Sequence, residues 1–141
     1  MITLIKLETV SLYLDLEKKI IFLDILSSTY SKDDFILLIE YFKNFWILAK
    51  EQNKKYYLII KINEIGIYPL NFYTNLVKIL TNLNEYFEHH LNSCCFICKN
   101  NNPLKILKPL FSVYKFIRPY TICSNYEEAL QFFSKNYLIH K

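Results

Sequence analysis

The chain has 141 residues, of which 52% are hydrophobic and 17% aromatic, with one glycine and four prolines. This is the size and composition of one packed globular domain, so we interpret residues 1–141 as a single domain and exclude fibrous and disordered classes. The formal net charge is +4, but Arg118 is the only arginine among seventeen basic residues, and phosphate and base recognition favours arginine. We therefore expect no specific nucleic-acid partner.

The first 26 residues predict β-strands. Residues 2–7 form one β-rich run. Residues 12–14 and 20–23 are apolar runs on either side of a polar turn at Glu17-Lys18, which indicates a β-hairpin. The sequence thus opens on an antiparallel ribbon.

From Ser31 onward, predicted helices and strands alternate. Ser31-x-x-Asp34 is a capping pattern, and the apolar residues after it keep helical spacing to Ala49. Further helices are expected from Phe72 to the histidines at 89 and 90, from Pro103, and from the Ser124-x-x-Glu127 capping box. The strands between them are predicted at residues 56–62, 94–98 and 120–123. Alternation favours parallel strands joined by crossover helices, so we predict an α/β fold: a mixed sheet, with an N-terminal antiparallel hairpin plus parallel strands, and about four helices.

The order of these elements resembles the STAS domain, the module of sulphate transporters and anti-sigma-factor antagonists. The resemblance covers roughly residues 10 to 138. It is best at the end, where a short strand leads into Ser124-Asn125-Tyr126-Glu127-Glu128-Ala129-Leu130. The resemblance implies a STAS-like fold and a regulatory or scaffolding role in which the domain binds another protein.

The chain departs from the family pattern at the start of the second helix. Bacterial regulators of that family carry Asp-Ser-Ser-Gly or Asp-Ser-Thr-Gly there, and the serine is phosphorylated. The corresponding stretch is Tyr68-Pro69-Leu70-Asn71-Phe72, which has no serine. The resemblance therefore implies partner binding without that phosphoserine switch.

The histidines and cysteines between residues 89 and 98 permit two interpretations. Soft ligands this close together suggest zinc, but a structural site usually draws a second ligand pair from further along the chain. The alternative is that all four cysteines, at 94, 95, 98 and 123, are reduced and buried in a cytosolic protein. Cys94 and Cys98 then lie on one face of a strand in the sheet core and Cys95 on the other. We favour the second interpretation and expect no metal.

No arrangement of residues predicts catalysis. A single glycine excludes a phosphate-binding glycine loop, and no serine stands in a nucleophile-elbow pattern. Asp15 and Asp24 lie on the predicted hairpin, where they could face each other as an acid–base pair or simply face solvent. We expect no cofactor and no enzymatic activity.

The function that we predict from the sequence is protein binding through the loop after the strand at 56–62 and the start of the next helix. The twelve tyrosines and eleven phenylalanines exceed what a domain of this size can fully hide, and tyrosine suits interfaces, although a coding bias toward tyrosine would explain the number equally well. The partner is another protein, with a second copy of the chain as one candidate. The alternative is a small-molecule or lipid carrier with an apolar pocket between helices and sheet. No run of 18 apolar residues and no signal peptide is found, so we expect a cytoplasmic protein without a membrane span. The candidate partner-binding residues are Asn63, Glu64, Gly66, Tyr68, Asn71, Tyr73 and Thr74.

Overall fold

The structure is a computed structural model. It describes residues 1–26, 31–62, 70–98, 108, 110, 112 and 114–139, without the side chains of residues 71, 72 and 136–139. Within this part of the chain lie six strands and four helices. The strands are β1 (Ile2–Lys6), β2 (Val10–Asp15), β3 (Ile20–Ile25), β4 (Tyr56–Ile62), β5 (Leu91–Cys98) and β6 (Tyr120–Cys123). The helices are α1 (Lys32–Glu51), α2 (Leu70–Asn82), α3 (Asn84–His90) and α4 (Tyr126–Ile139).

The strands form a single sheet in the order of the sequence, β1-β2-β3-β4-β5-β6. The pairs β1–β2 and β2–β3 are antiparallel, and the pairs β3–β4, β4–β5 and β5–β6 are parallel. The predicted fold class, α/β with a mixed sheet that begins in an antiparallel hairpin, is confirmed.

The hairpin between β2 and β3 turns where the sequence predicts it. The Asp15 carboxylate accepts a hydrogen bond from the Lys18 amide at 3.1 Å, and Lys19 has a left-handed φ of 57°. An aspartate that binds an amide three residues later is a common device for closing a turn. The turn fixes the register in which Tyr13 lies opposite Phe22.

Helix α1 begins and ends at the predicted residues. The Ser31 side chain accepts a hydrogen bond from the Asp34 amide, and Gln52 is the C-cap. The Asp34 carboxylate also accepts hydrogen bonds from the Thr9 amide at 3.1 Å and the Thr9 hydroxyl at 2.6 Å. The first turn of α1 is therefore attached to the end of the β1–β2 connection.

The second predicted helix is two helices rather than one. The chain leaves helical geometry at Leu83, whose amide donates to the Leu80 carbonyl three residues back. The Tyr114 hydroxyl donates at 2.6 Å to the Asn84 side-chain carbonyl, which fixes the start of α3. A side chain thirty residues away thus stabilises a break that the apolar spacing of the helix does not reveal.

The sequential strand order determines how the two faces of the sheet are covered. From β3 to β6, each new parallel strand is added at the same edge of the sheet. Because crossovers between parallel strands are right-handed, the helices of successive crossovers then lie on the same face. We call it the three-helix face: α1, α2 and α3 pack there, together with Leu110, Tyr114 and Phe116. Of the described helices, only α4, which follows β6, packs on the opposite face, and we call this face the one-helix face. Its buried cluster is Ile20, Phe22, Ile59, Cys95, Ile97, Cys123, Ala129 and Phe133.

The cysteines divide between these faces. Cys94 and Cys98 are free and buried on the three-helix face, as predicted. Cys95 and Cys123 lie on the neighbouring strands β5 and β6 and are joined as a disulfide, with Cα atoms 6.9 Å apart. The prediction that all four cysteines are reduced is therefore wrong for this pair, because the parallel register of β5 and β6 brings together two residues 28 positions apart.

The helix predicted from Pro103 falls mostly outside the described residues. Beyond it, the Arg118 guanidinium donates to the carbonyls of Leu91 at 2.9 Å and Asn92 at 3.4 Å. The single arginine therefore attaches the segment before β6 to the start of β5.

Candidate functional site

The surface predicted for partner binding is only partly described. Asn63, Glu64, Gly66 and Tyr68 lie outside the described residues, as does the side chain of Asn71. Tyr73 is 8% exposed and belongs to the core of the three-helix face, so its ring is packed inside the domain. Thr74 is exposed, and its hydroxyl donates to the Leu70 carbonyl within α2.

A pocket of about 490 Å³ opens on the one-helix face instead. It lies between the β2–β3 hairpin, the last residues of β4 and β5, and the start of α4. Lys61 and Ile97, which lie near the carboxyl ends of β4 and β5, contribute to its lining. Its lining consists of Met1, Tyr13, Asp15, Lys18, Phe22, Lys61, Ile97, Ser124, Asn125 and Tyr126.

Three aromatic rings form one wall of the pocket. The antiparallel register places Tyr13 and Phe22 side by side, and their rings stack at 4.7 Å with an interplanar angle of 7°. The Tyr126 ring lies 5.9 Å from Phe22 and is tilted by 36°. The first turn of α4 thus extends the aromatic wall that the hairpin begins.

Two lysines bring positive charge to the same pocket. Lys18 reaches in from the hairpin turn, with its Nζ 5.3 Å from the centroid of the Tyr126 ring and 3.4 Å from the Tyr126 hydroxyl. Lys61 lies near the end of β4 and is half-buried. Neither lysine forms an ion pair with any residue in the described ranges.

Behind the aromatic wall lies a buried carboxyl group. Asp24 is 7% exposed, and its Oδ2 accepts a hydrogen bond from the Tyr13 hydroxyl at 3.1 Å. Its Oδ1 is buried without a hydrogen-bond partner among the described residues. Burial raises the pKa of Asp24, although the hydrogen bond from Tyr13 and the charge of Lys61, its register partner on β4, act in the opposite direction. The neutral form is therefore favoured relative to an exposed aspartate.

Asp24 in turn affects the pKa of Tyr13. Burial, and then the nearby Asp24 carboxylate, raise the pKa of the Tyr13 hydroxyl well above its usual value. A hydroxyl that is harder to ionise and already donates to Asp24 is poorly suited to act as an acid or base toward a ligand. Tyr13 is better suited to supply a ring surface than to transfer a proton.

Asp15 and Asp24 do not form the pair that the hairpin suggested. The register sets Asp15 opposite Ile20 and Asp24 opposite Ser11, so the carboxylates lie at opposite ends of the hairpin. Both are on the one-helix face, with Tyr13 between them. Asp15 lines the pocket, whereas Asp24 lies behind it.

The start of α4 is capped one residue later than predicted. Asn125, not Ser124, is the capping residue: its side-chain oxygen accepts from the Glu128 amide at 2.9 Å. The Glu128 carboxylate accepts from the Ser124 amide at 2.8 Å. The expected box with Glu127 is therefore displaced, and Ser124 and Asn125 are held at the rim of the pocket.

The histidine and cysteine cluster does not assemble. Among the described residues, no group of three histidine, cysteine or acidic side chains is placed to hold a metal ion. Nδ1 of His90 lies 3.0 Å from the Lys54 carbonyl and donates to it, since a carbonyl can only accept. Burial raises the pKa of the Cys94 thiol, which lowers its reactivity.

The sequence analysis did not predict this pocket because its lining residues come from five separate segments of the chain. One signal was present: β3 and β4 are apolar strands that each carry a charged residue one position before the end, Asp24 and Lys61. A charged side chain inside a strand of this kind is uncommon in a pure packing role. Two of them at the same register position indicate the edge of a site.

Comparison with known proteins gives no relationship: no protein-family model, no curated protein and no solved structure matches the chain. None of the helices within the described ranges has the length and apolar character needed to cross a membrane.

Proposed function

We propose that this chain is a non-catalytic binding module that holds a small organic ligand in the pocket between the one-helix face and α4. The observation that carries the proposal is the pocket itself. Its volume of about 490 Å³ falls within the range of small-molecule sites, and aromatic walls with a few polar groups are typical of them. The proposal corresponds to the alternative function from the sequence analysis, a small-molecule carrier. The lining of the pocket is more aromatic and more charged than the apolar lining expected there.

The lining supports binding rather than chemistry. It contains no histidine or cysteine among the described residues. Its tyrosine nearest a carboxyl group, Tyr13, already donates its hydroxyl hydrogen to Asp24. Without a poised acid, base or nucleophile, the groups present can orient a ligand but are not arranged to transform it.

Native mass spectrometry of the protein purified from its own cells tests the proposal. We expect a mass above the 17.0 kDa of the chain, with the excess lost on unfolding. Ser124→Trp, an exposed position on the pocket rim, should fill the pocket and remove the excess. Ser134→Trp, an exposed position on α4 outside the lining, should retain it. An unmodified chain mass in both variants and in the wild type contradicts the proposal.

A second candidate, a protein-binding module as the STAS resemblance implies, is favoured by the outer surface of α1. Ile36, Leu37, Tyr41 and Leu48 are exposed there, and Leu37, Tyr41 and Leu48 recur at helical spacing on one side of the helix. Lysines and glutamates flank them, so two copies could pair antiparallel with opposite charges facing. The candidate partner is therefore a second copy of the chain.

Sedimentation velocity across a range of protein concentrations separates the two candidates. A dimer that Leu48→Glu converts to a monomer supports self-association through α1. The matched variant Glu40→Gln, also exposed on α1, should leave the dimer intact. A monomer at all concentrations argues against this candidate and leaves ligand binding unaffected.

A further inference from the structure

We infer that the ligand of this pocket is a planar aromatic anion, whose rings lie along the Phe22–Tyr126 wall and whose acidic group pairs with Lys61 and Lys18. The inference rests on the proposed function and adds the chemical class of the ligand. A carboxylate, sulfonate or phosphate on one or two fused or linked rings has the required chemistry.

The charge of the lining points to an anion. Lys18, Lys61 and Asp15 are its charged side chains among the described residues, so positive charge is in excess. Asp15 already accepts the amide hydrogen of Lys18 through one oxygen, which closes the hairpin turn. Neither the Lys18 nor the Lys61 ammonium group forms an ion pair with a described residue.

Lys61 makes the stronger case of the two lysines. It is half-buried, so part of its hydration is lost, and a charge that loses water is stabilised by an opposite charge nearby. The carboxyl group nearest in register is Asp24, yet the two make no ion pair within 4.0 Å. One oxygen of Asp24 is taken up by Tyr13 instead. An acidic group on a ligand would add a direct ion pair to the longer-range attraction between Lys61 and Asp24.

The geometry of the rings points to a planar ligand. Tyr13 and Phe22 are nearly parallel, and flat rings pack against such aromatic side chains in offset-stacked or edge-to-face arrangements. The Tyr126 ring stands at 36° to the Phe22 ring, and the Lys18 ammonium lies over the Tyr126 ring, 5.3 Å from its centroid. A long alkyl chain would gain less here, because Phe22 and Ile97 are the only fully apolar walls besides Met1 in the described lining.

Two fluorescent probes that differ by one acidic group test the inference. 8-Anilinonaphthalene-1-sulfonate carries a sulfonate, and N-phenyl-1-naphthylamine has the same linked rings without it. Each is titrated into the purified full chain at neutral pH and low salt, with direct excitation of the probe. We expect the sulfonate to bind at least about tenfold more tightly, which is the effect of one charge-assisted contact.

Variants identify the group responsible. Lys61→Met should lower the affinity for the sulfonate about tenfold and leave that for the neutral probe unchanged, and Lys61→Arg should restore it. Lys18→Met, at an exposed position that does not threaten folding, should act in the same direction with a smaller effect. Lys43→Met, exposed on α1 and outside the lining, should change neither affinity.

The outcomes separate this inference from the proposed function. If both probes bind equally well and Ser124→Trp removes both, the pocket binds ligands but the preference for anions is refuted. Tighter binding of the neutral probe, or sulfonate binding that survives Lys61→Met and Lys18→Met, also refutes it. If the wild type binds neither probe, the inference and the proposed function both fail.

Discussion

The two faces of the sheet are built from the same strands and are packed in different ways. On the three-helix face, α1, α2 and α3 cover an apolar core with the interlocked rings of Phe42, Phe45 and Trp46. On the one-helix face, α4 is the one helix among the described elements that covers the much smaller cluster, and the pocket lies beside it. The difference follows from topology. Right-handed crossovers between strands that are added at one edge place their helices on the same face, so the other face is covered by the helix after the last strand.

The faces also differ in the polarity of what they bury. Asp24 is the only carboxylate that is buried among the described residues, and it lies on the one-helix face with Tyr13 and the register partner Lys61. A protein that only had to be stable would gain from apolar residues at such positions. The buried carboxylate therefore lies on the face with the smaller core, which is also the face with the proposed ligand pocket.

The largest effect should come from truncating a phenylalanine on each face. Phe42 is fully buried against Trp46 on the three-helix face, so Phe42→Ala leaves a closed cavity and should cost about 3–5 kcal/mol. Phe22 borders the pocket, so Phe22→Ala widens a space that water already reaches and should cost less than about 3 kcal/mol. Chemical denaturation followed by circular dichroism measures both. Equal costs would mean that the one-helix face is as tightly packed as the other.

Loss of the Cys95–Cys123 disulfide should have the next largest effect. The bond closes a loop with a sequence separation of 28, so the double variant Cys95→Ala/Cys123→Ala should lower the free energy of unfolding by about 3.5 kcal/mol. A reductant should destabilise the wild type and leave the double variant unchanged. Cys98→Ala, which removes a free thiol on the three-helix face, should keep the sensitivity to reductant. A wild type indifferent to reductant contradicts the prediction.

What the sequence predicted correctly depends on signals within a few residues. The Ser31 cap, the turn at Glu17-Lys18 and the strand Tyr56–Ile62 each follow from neighbouring side chains, and each lies where it was expected. The order of these elements was then enough to give the mixed sheet. The fold was predictable because its topology adds each strand next to the previous one.

What the sequence missed depends on contacts between distant residues. The break at Leu83 is fixed by Tyr114, and the disulfide depends on the register of β5 and β6. The pocket needs the hairpin, two strand ends and the start of α4 together. No local pattern encodes these contacts. The predicted binding surface at the loop after β4 was based on the family resemblance rather than on contacts of this kind.

The hydroxyl groups of half-buried Tyr13 and buried Tyr114 offer a smaller contrast between the faces. Tyr13→Phe removes the one hydrogen bond to buried Asp24 and should cost about 1–3 kcal/mol. Tyr114→Phe on the three-helix face removes a hydrogen bond to the half-buried Asn84, which water can replace, and should cost about 0.5–1.5 kcal/mol. Denaturation curves of the two variants give the costs. A larger cost for Tyr114→Phe would contradict the prediction, because the hydrogen bond that contributes more to stability would then lie on the three-helix face.

The smallest effect should be a pH dependence that belongs to Asp24 alone. Because burial raises its pKa above the ordinary 3.8, the folded chain binds more protons than the unfolded chain between that pH and the raised value. The free energy of unfolding should therefore fall as pH rises through this window, and the penalty should persist at neutral pH. Asp24→Asn cannot ionise, so its stability relative to the wild type should improve from acidic to neutral pH. The control variant Asp33→Asn changes an exposed residue in the first turn of α1. Its free energy of unfolding should keep the contribution of Asp24 to the pH dependence, as in the wild type. Unfolding curves from about pH 3.5 to 7 measure this difference. Parallel profiles for Asp24→Asn and the wild type would show that the buried carboxyl group of the one-helix face carries no such penalty.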